Sequence, residues 1–501
     1  TEIDQKGGGT VSGKTERTSF SRDVARRTAL LTVGRFVSKL LVFFMVRLYT
    51  ACLSPAEYSA ADLIVDMANL LIPLASLGVS EGIFRNAANR NRDKEAYLTA
   101  GLAVLGAGSL AFLLLSPLLT CIPLFTGTAW LIVLYVLLAN LHAVVSQDLF
   151  AVGRVRLFAG QGVLNTVFII VLNILFLPVL KLGVTGYVMS TFIADGLTTL
   201  LLVLYTRLWR SVRRMSLREL WATAKPMLCF CLPLVPATLC WWITSVSDRY
   251  MIYYMRSAAE NGLYTAAYKV PTILTYAVSI FSVAWKGSIS AEDDDPAVWK
   301  RHYTRSWQGY TAVAFAGGGC LILTSRLFAG LLYAESYRAA WLYIPVLTVA
   351  TVLAGLDTFL DSVYFTARRT GWSMGSALSG ALLNLLLNTL LIPRFGAMGA
   401  SVATLISYLC VLVLRMVTTR RLIRFRQGRV RLALNILFLT MQAGFMTATG
   451  EGHMPSVWGW VLTGAASVAL LALNMRTLIR IGVRLARGLR GRLRGKETET
   501  T

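Results

Sequence analysis

About fourteen apolar runs, each near the length needed to cross a bilayer, constrain this chain before any motif does. They lie near 28–50, 58–83, 97–122, 128–150, 157–180, 184–206, 222–246, 261–285, 308–332, 339–364, 370–392, 397–417, 431–449 and 456–477. A spanning helix needs about 20 mainly apolar residues, and 55% of the 501 residues are hydrophobic. The runs are too long and alternate too little for barrel strands, which leaves helices that satisfy their own backbone in lipid. The fold class expected is therefore an all-α polytopic membrane protein with about 14 transmembrane helices.

The formal net charge of +24 would suit nucleic acid, but its placement speaks for topology. If the first run starts inside, the N-terminal tail and alternate loops hold about 39 of the 49 Lys and Arg. The clusters are Arg17 to Arg27, Arg85 to Lys94, Arg207 to Arg218, Arg415 to Arg431 and Arg476 to Lys496. The opposite loops hold about six, among them Lys181, Arg256 and Arg338. This is the positive-inside bias, and it puts both termini in the cytoplasm and calls for no nucleic acid. The first twenty-odd residues are polar and the first run is full length, so a span is expected there, not a cleaved leader.

No cofactor is expected. Gly8-Gly-Thr-Val-Ser-Gly13-Lys14-Thr15 fits the phosphate-binding pattern G-x-x-x-x-G-K-T, but that loop works only between a strand and a helix. Here only seven residues precede it, with no apolar strand among them, and a membrane run follows, so it reads as tail. Cys229 and Cys231 point to different faces of a helix, and the three histidines are far apart, which leaves no zinc site. The short loops and the lack of a nucleophile–base set argue against an enzyme. The chain reads as one that moves its cargo.

Ionisable groups inside the runs are the candidates for function, because each costs about 2.5–3.5 kcal/mol at membrane depth on insertion scales. Arg35, Lys39 and Arg47 fall within about 120° on the first run, and Asp62, Asp66 and Asn69 form a stripe on the second, ahead of Pro73. Either they line a polar cavity or Arg35 and Lys39 pair with Asp62 and Asp66. Asn165 and Asn173 lie on the fifth run and Asp195 on the sixth. Lys269 in the eighth either faces the cavity or snorkels to the interface. Asp248 and Arg249 read as a helix-end ion pair. Asp357 and Asp361, one turn apart, read as a proton or cation site or as a polar helix end. The acidic run Glu292-Asp-Asp-Asp295 reads as a solvated loop.

Two internal echoes divide the chain. Tyr58-Ser-Ala-Ala-Asp62 returns as Tyr264-Thr-Ala-Ala-Tyr268, offset by 206. Asn173-Ile-Leu-Phe-Leu-Pro178, with Gly183 and Gly186, returns as Asn388-Thr-Leu-Leu-Ile-Pro393, with Gly396 and Gly399. Six runs separate the copies, so the repeat is parallel. The expected organisation is a basic disordered tail (1–27), an N-lobe of six helices (28–206), a basic linker lying on the inner leaflet (207–225), a C-lobe of six helices (226–417), two extra C-terminal helices (418–477) and a basic tail (478–501).

The chain resembles the polysaccharide-biosynthesis (Wzx-type) oligosaccharide flippases of the multidrug/oligosaccharidyl-lipid/polysaccharide (MOP) exporter superfamily. Four stretches carry the likeness: Leu53-Ser-Pro-Ala-Glu-Tyr58, Leu74-Ala-Ser-Leu-Gly-Val-Ser-Glu-Gly82, Ser247-Asp-Arg-Tyr250 with Glu260-Asn-Gly-Leu-Tyr264, and Pro393-Arg-Phe-Gly-Ala-Met-Gly-Ala400. The resemblance implies two bundles around a central cavity that opens to either side in turn. It also implies a polyprenyl-pyrophosphate-linked saccharide as cargo, other polysaccharide assembly proteins as partners, a monomer, and a place in the bacterial cytoplasmic membrane. By position, Arg35, Lys39 and Lys269 are the cations that would meet the pyrophosphate. Asp62, Asp66, Asn69, Asp195, Asp357 and Asp361 are the polar or ion-coupling candidates. Tyr264, Tyr268 and Trp285 either stack on sugar rings or belong to an aromatic belt. Lipid II flippases and cation-coupled multidrug exporters of the superfamily are the alternatives, with a lipid-modifying enzyme or an assembly scaffold beyond them.

The topology has a direct test. Cysteines introduced after Arg85 are expected to resist an impermeant thiol reagent added outside, and one near Arg338 to react. Outside labelling of the first would overturn the orientation.

Overall fold

The computed structural model describes residues 41–87, 93–276, 296–367 and 369–497. Among them there is no strand. The first lobe comprises α1 (Leu41–Cys52), α2 (Pro55–Ser76), α3 (Val79–Ala87), α4 (Lys94–Leu115), α5 (Ala129–Ala151), α6 (Val155–Ile174) and α7 (Gly183–Thr206). The second comprises α8 (Leu217–Cys231), α9 (Leu234–Met255), α10 (Ala258–Lys269), α11 (Pro296–Leu323), α12 (Ser325–Leu332), α13 (Ile344–Thr366) and α14 (Thr370–Leu422). Then follow α15 (Arg429–Gly450) and α16 (Ser456–Glu497). Nine helices among the described residues are long and apolar enough to span a membrane, ten if α11 and α12, bent by 63°, count as one. Their outward faces carry Leu114, Leu200, Leu386 and Val468, more than half exposed, which only a lipid surround makes stable.

Several spans are two helices. The break expected near Pro73 falls one turn later, where Leu77 and Gly78 take left-handed φ values of 52° and 66° and part α2 from α3. The seventh span breaks at Leu232 and Pro233, and its second half continues to Met255, nine residues beyond the apolar run. Helix α8 also runs straight across the expected linker boundary at 225/226, starting from the capping box of Ser216 and Glu219. At α14 the chain reverses: Asn384 Nδ2 donates to Thr404 Oγ1 (3.3 Å) and Arg415 Nε to Ser376 Oγ (3.0 Å), so arms 370–395 and 397–422 are antiparallel. The turn is Gly396, at φ 58° and ψ −139°, a region other residues enter only with strain.

The repeat is visible as local chemistry. Helices α2 and α10 each start from a serine cap followed by glutamate, Ser54 with Glu57 and Ser257 with Glu260. Each glutamate lies beside the positive-φ glycine of its own lobe's hairpin. A Cβ on Gly183 would sit 3.9 Å from Glu57 Oε1, and one on Gly396 only 1.9 Å from Glu260 Oε1. Glu260 Oε1 also accepts from the Ala397 amide (2.7 Å), a carboxylate at a helix N-terminus. These caps set the register at 203 residues, three fewer than the aromatic echo of the sequence. In that register Asp66 and Lys269 are equivalent, each twelve residues past its cap.

Both lobes close over the end where α2 and α10 begin. One apolar core there takes Phe43, Tyr49, Tyr58 and Leu177 from the first lobe and Tyr264, Tyr337, Ile344 and Ile392 from the second. Arg47 Nη1 donates to the Tyr333 carbonyl (2.6 Å), Thr50 Oγ1 to that of Leu332 (3.1 Å) and the Tyr337 hydroxyl to that of Leu53 (3.0 Å). A Cβ on Gly262 would lie 1.9 Å from the Pro55 carbonyl oxygen, so α10 approaches α2 as only glycine allows. Gly262→Val is expected to destabilise this closed packing by about 1–3 kcal/mol, read as a lower melting temperature in detergent. An unchanged temperature would mean that the lobes do not meet there.

Candidate functional site

The polar stripe of α2 faces the second lobe. Helix α9 runs antiparallel along it: Arg249 meets Asp62, Trp242 Nε1 donates to the Asp66 carbonyl (2.8 Å), and the Tyr250 hydroxyl donates to that of Leu63 (2.7 Å). Further on, Val235 and Cys231 pack on Gly78, and Met227 on Gly82. The seventh span thus lies along the whole length of the second and forms a seam between lobes.

At the middle of that seam are two acids and two bases. Arg249 Nη1 lies 2.7 Å from Asp62 Oδ2 and 2.8 Å from Asp66 Oδ2, and Lys269 Nζ lies 3.1 Å from Asp62 Oδ1. Side-chain exposure is 6% for Asp62, 14% for Asp66, 12% for Arg249 and 29% for Lys269. The cluster is neutral when all four are ionised, which removes the cost each would carry alone at membrane depth. Arg249 also stacks on Tyr268 at 5.6 Å, and its Nε is buried with no partner among the described residues. The acids come only from the first lobe and the bases only from the second.

This arrangement changes the sequence reading in several places. Asp248 and Arg249 are neither a mutual ion pair nor at a helix end. They sit inside α9, where Asp248 accepts from the Tyr264 hydroxyl and Arg249 crosses to the other lobe. Arg249 was missed as a cavity cation because the apolar run stops at 246. The capping signal Ser257-Ala-Ala-Glu260 marks the true end of the preceding helix. Lys269 does not snorkel; it pairs with Asp62. Tyr264 is wholly buried, with no ring face free for a sugar in this conformation, and Tyr268 is partly buried beside Arg249. Asn69 is exposed, one turn beyond Asp66. Arg35, Lys39, Trp285 and the acidic run 292–295 lie outside the described residues.

The remaining acids belong to separate groups inside each lobe. Asp195 accepts from Asn165 Nδ2 (2.8 Å), whose Oδ1 accepts from Thr198 (3.3 Å), and the Thr199 hydroxyl joins the Asp195 carbonyl (2.6 Å) to His142 (3.0 Å). In the second lobe Arg415 lies 3.4 Å from Asp361 and donates to the Asp357 carbonyl (2.7 Å), while Ser373 donates to Asp361. Asp357 is 5% exposed, and neither carboxylate oxygen has a hydrogen-bond partner among the described residues. Among the described residues no group of three His, Cys, Asp or Glu is placed to hold a metal.

Helical lobes joined along a charged seam, with nine or ten candidate membrane spans among the described residues, make a polytopic membrane fold, and solved transporter structures share it. The lipid II flippase MurJ, in an inward closed conformation, is similar over 90% of this chain and all of its own (TM-score 0.63, 12% identity). An outward-facing multidrug resistance MATE family transporter of the MOP superfamily covers 79% of this chain and 95% of its own (TM-score 0.58, 14% identity). A MOP superfamily transporter from Pyrococcus furiosus, whose binding pocket has reverse polarity, covers 81% and 96% (TM-score 0.58, 16% identity). A family model described as polysaccharide biosynthesis protein matches residues 24–285, just over half of the chain, and the chain belongs to that family. No curated protein matches it significantly in sequence.

Removing one partner of a buried ion pair costs about 3–5 kcal/mol, because the other charge is stranded. Arg249→Gln is therefore expected to lower folded yield and melting temperature sharply, and Asp66→Asn added to it to recover part of the loss. Absence of any recovery would show that the two groups do not interact.

Proposed function

We propose that this protein carries a polyprenyl-pyrophosphate-linked oligosaccharide from the inner to the outer leaflet of the bacterial cytoplasmic membrane, for cell-surface polysaccharide synthesis. The observation that carries the reading is the division of charge across the seam. Arg249 and Lys269, both on the second lobe, are held in this conformation by Asp62 and Asp66 of the first. A pyrophosphate is an anion of the same kind as a pair of carboxylates, so it competes for the same two cations. Lys269, the most exposed of the four, meets it first, and the unpartnered Arg249 Nε offers a further donor. Once the headgroup takes over the bases, nothing ionic ties the lobes at this point, and they are free to part.

In this reading the cluster also holds the lobes together until an anion competes for its bases. Opening the seam without an anion would separate all four charges from their partners and leave the two bases with no counter-charge. A loaded headgroup removes the bases from that sum, and the acids are then left facing a water-filled cleft. Alternating access follows as exchange of one set of ion pairs for another. The lipid tail stays in the bilayer beside the exposed apolar faces. In this reading the family assignment supplies the pathway and the seam supplies the chemistry of the cargo.

A second reading, a cation-coupled exporter, draws on Asp195 and Asp357, one buried acid inside each lobe. The two readings separate in proteoliposomes. With the flippase reading, a fluorescent polyprenyl-pyrophosphate saccharide moves between leaflets, and Lys269→Ala lowers the rate per folded molecule by at least about tenfold, the loss of one charge-assisted contact, while its folded yield falls less than that of Arg249→Gln because Asp62 keeps Arg249 as a partner. If Lys269→Ala flips the lipid at the wild-type rate, or if only cationic dyes are moved, the proposal fails.

A further inference from the structure

A second basic site lies away from the seam, where α14 passes to α15. The chain between them, Ile423 to Gly428, is clamped onto α11. The Arg426 amide donates to Thr304 Oγ1 (3.1 Å), and Trp307 Nε1 donates to the Gln427 carbonyl (2.8 Å). Phe425 is buried against Tyr303 and Trp307. This rigid floor supports a cavity of about 600 Å³ lined by Lys300, Arg420, Arg421, Arg424, Arg426 and Arg429, with Val417 and Phe425. All six cations are exposed, and among the described residues none has a carboxylate within 4.0 Å.

Six like charges around one concavity repel one another, and a fixed scaffold that holds them together is a site for a multivalent anion. The neighbouring surface says what kind of anion. Val413 and Val417 lead away from the cavity on one helix, and Val430 and Leu437 on the next, all about half exposed or more. These spacings, four and seven residues, keep each pair on one face of its helix. A soluble phosphate has no use for such apolar stripes, whereas acyl chains lie along them. The cations are also too many and too widely spread for a single phosphodiester. We propose that this groove binds a bilayer phospholipid carrying two phosphates, of the diphosphatidylglycerol type, with its headgroup among the arginines and its chains against the two helices. Positive-inside bias puts the groove at the cytoplasmic leaflet, where basic pockets between membrane helices take such headgroups. The proposal does not depend on which cargo the seam carries.

Native mass spectrometry on the full chain in detergent tests it, with diphosphatidylglycerol, phosphatidylglycerol and phosphatidylcholine titrated separately. Diphosphatidylglycerol is expected to bind most tightly, and the triple variant Arg420→Gln, Arg424→Gln, Arg429→Gln to bind it on the order of a hundredfold more weakly. The lipid-free melting temperature of that variant should stay at the wild-type value, since all three side chains are exposed. If it falls, the milder Arg→Lys triple, which keeps the charge, decides by retaining or losing the lipid. Equal binding by the charge-neutral variant and the wild type, or by phosphatidylglycerol and diphosphatidylglycerol, overturns the proposal. Displacement of the phospholipid by equimolar inorganic pyrophosphate would assign the groove to a soluble anion, and displacement by farnesyl pyrophosphate to an isoprenoid. Either result also overturns it.

Discussion

The ion cluster of Asp62, Asp66, Arg249 and Lys269 is the contact on which the rest of this architecture turns. Each member is untenable at membrane depth by itself, and each becomes acceptable only when the opposite lobe is in place. The lobes are therefore joined by a bond whose strength depends on what else is present. Apolar packing, by contrast, seals the end where α2 and α10 begin, through Tyr58, Tyr264 and Tyr337. Ordinary close packing closes one end and exchangeable charge holds the middle. A carrier needs that combination: a wall that excludes water, and a centre that a ligand can unlock.

Backbone geometry makes the cluster possible. Gly262 lets α10 approach Pro55 closely enough for Lys269, two turns on, to reach Asp62. Gly396 turns α14 back on itself, and Glu260 braces that turn from the first turn of α10. The same glutamate thus sets the start of the helix that carries Lys269 and ties it to the hairpin behind. The acids buried inside the lobes are of a different kind. Asp195 is held by Asn165, while the Asp357 carboxylate has no hydrogen-bond partner among the described residues, so the two lobes are not equal in their inner polar chemistry.

Much of this was legible in the order of residues. The apolar runs gave the spans, and the paired motifs at Asn173 and Asn388 marked the two hairpins, because each precedes a proline and a glycine that must turn the chain. Asp62, Asp66 and Lys269 stood out because ionised groups are rare at such depth. Two things were not legible. Hydropathy ended the seventh span at 246, since Ser247, Asp248 and Arg249 lower the local average, yet their polarity is satisfied across the lobes and the helix runs on to Met255. Pairing between α2 and α9 is also a long-range event, set by how two lobes dock, and no local spacing records it. The serine–glutamate caps do record the helix starts, and they fix the repeat register more reliably than the aromatic residues did.

The equivalence of Asp66 and Lys269, each twelve residues beyond its cap, has a bearing on how such a chain is assembled. Two identical halves would face each other with the same charge at the same depth, acid against acid or base against base. Inversion of sign at one pair of matched positions removes that option. Each half is complementary to the other and repelled by its own copy. A fold with internal symmetry in its backbone is thereby made to pair one way only.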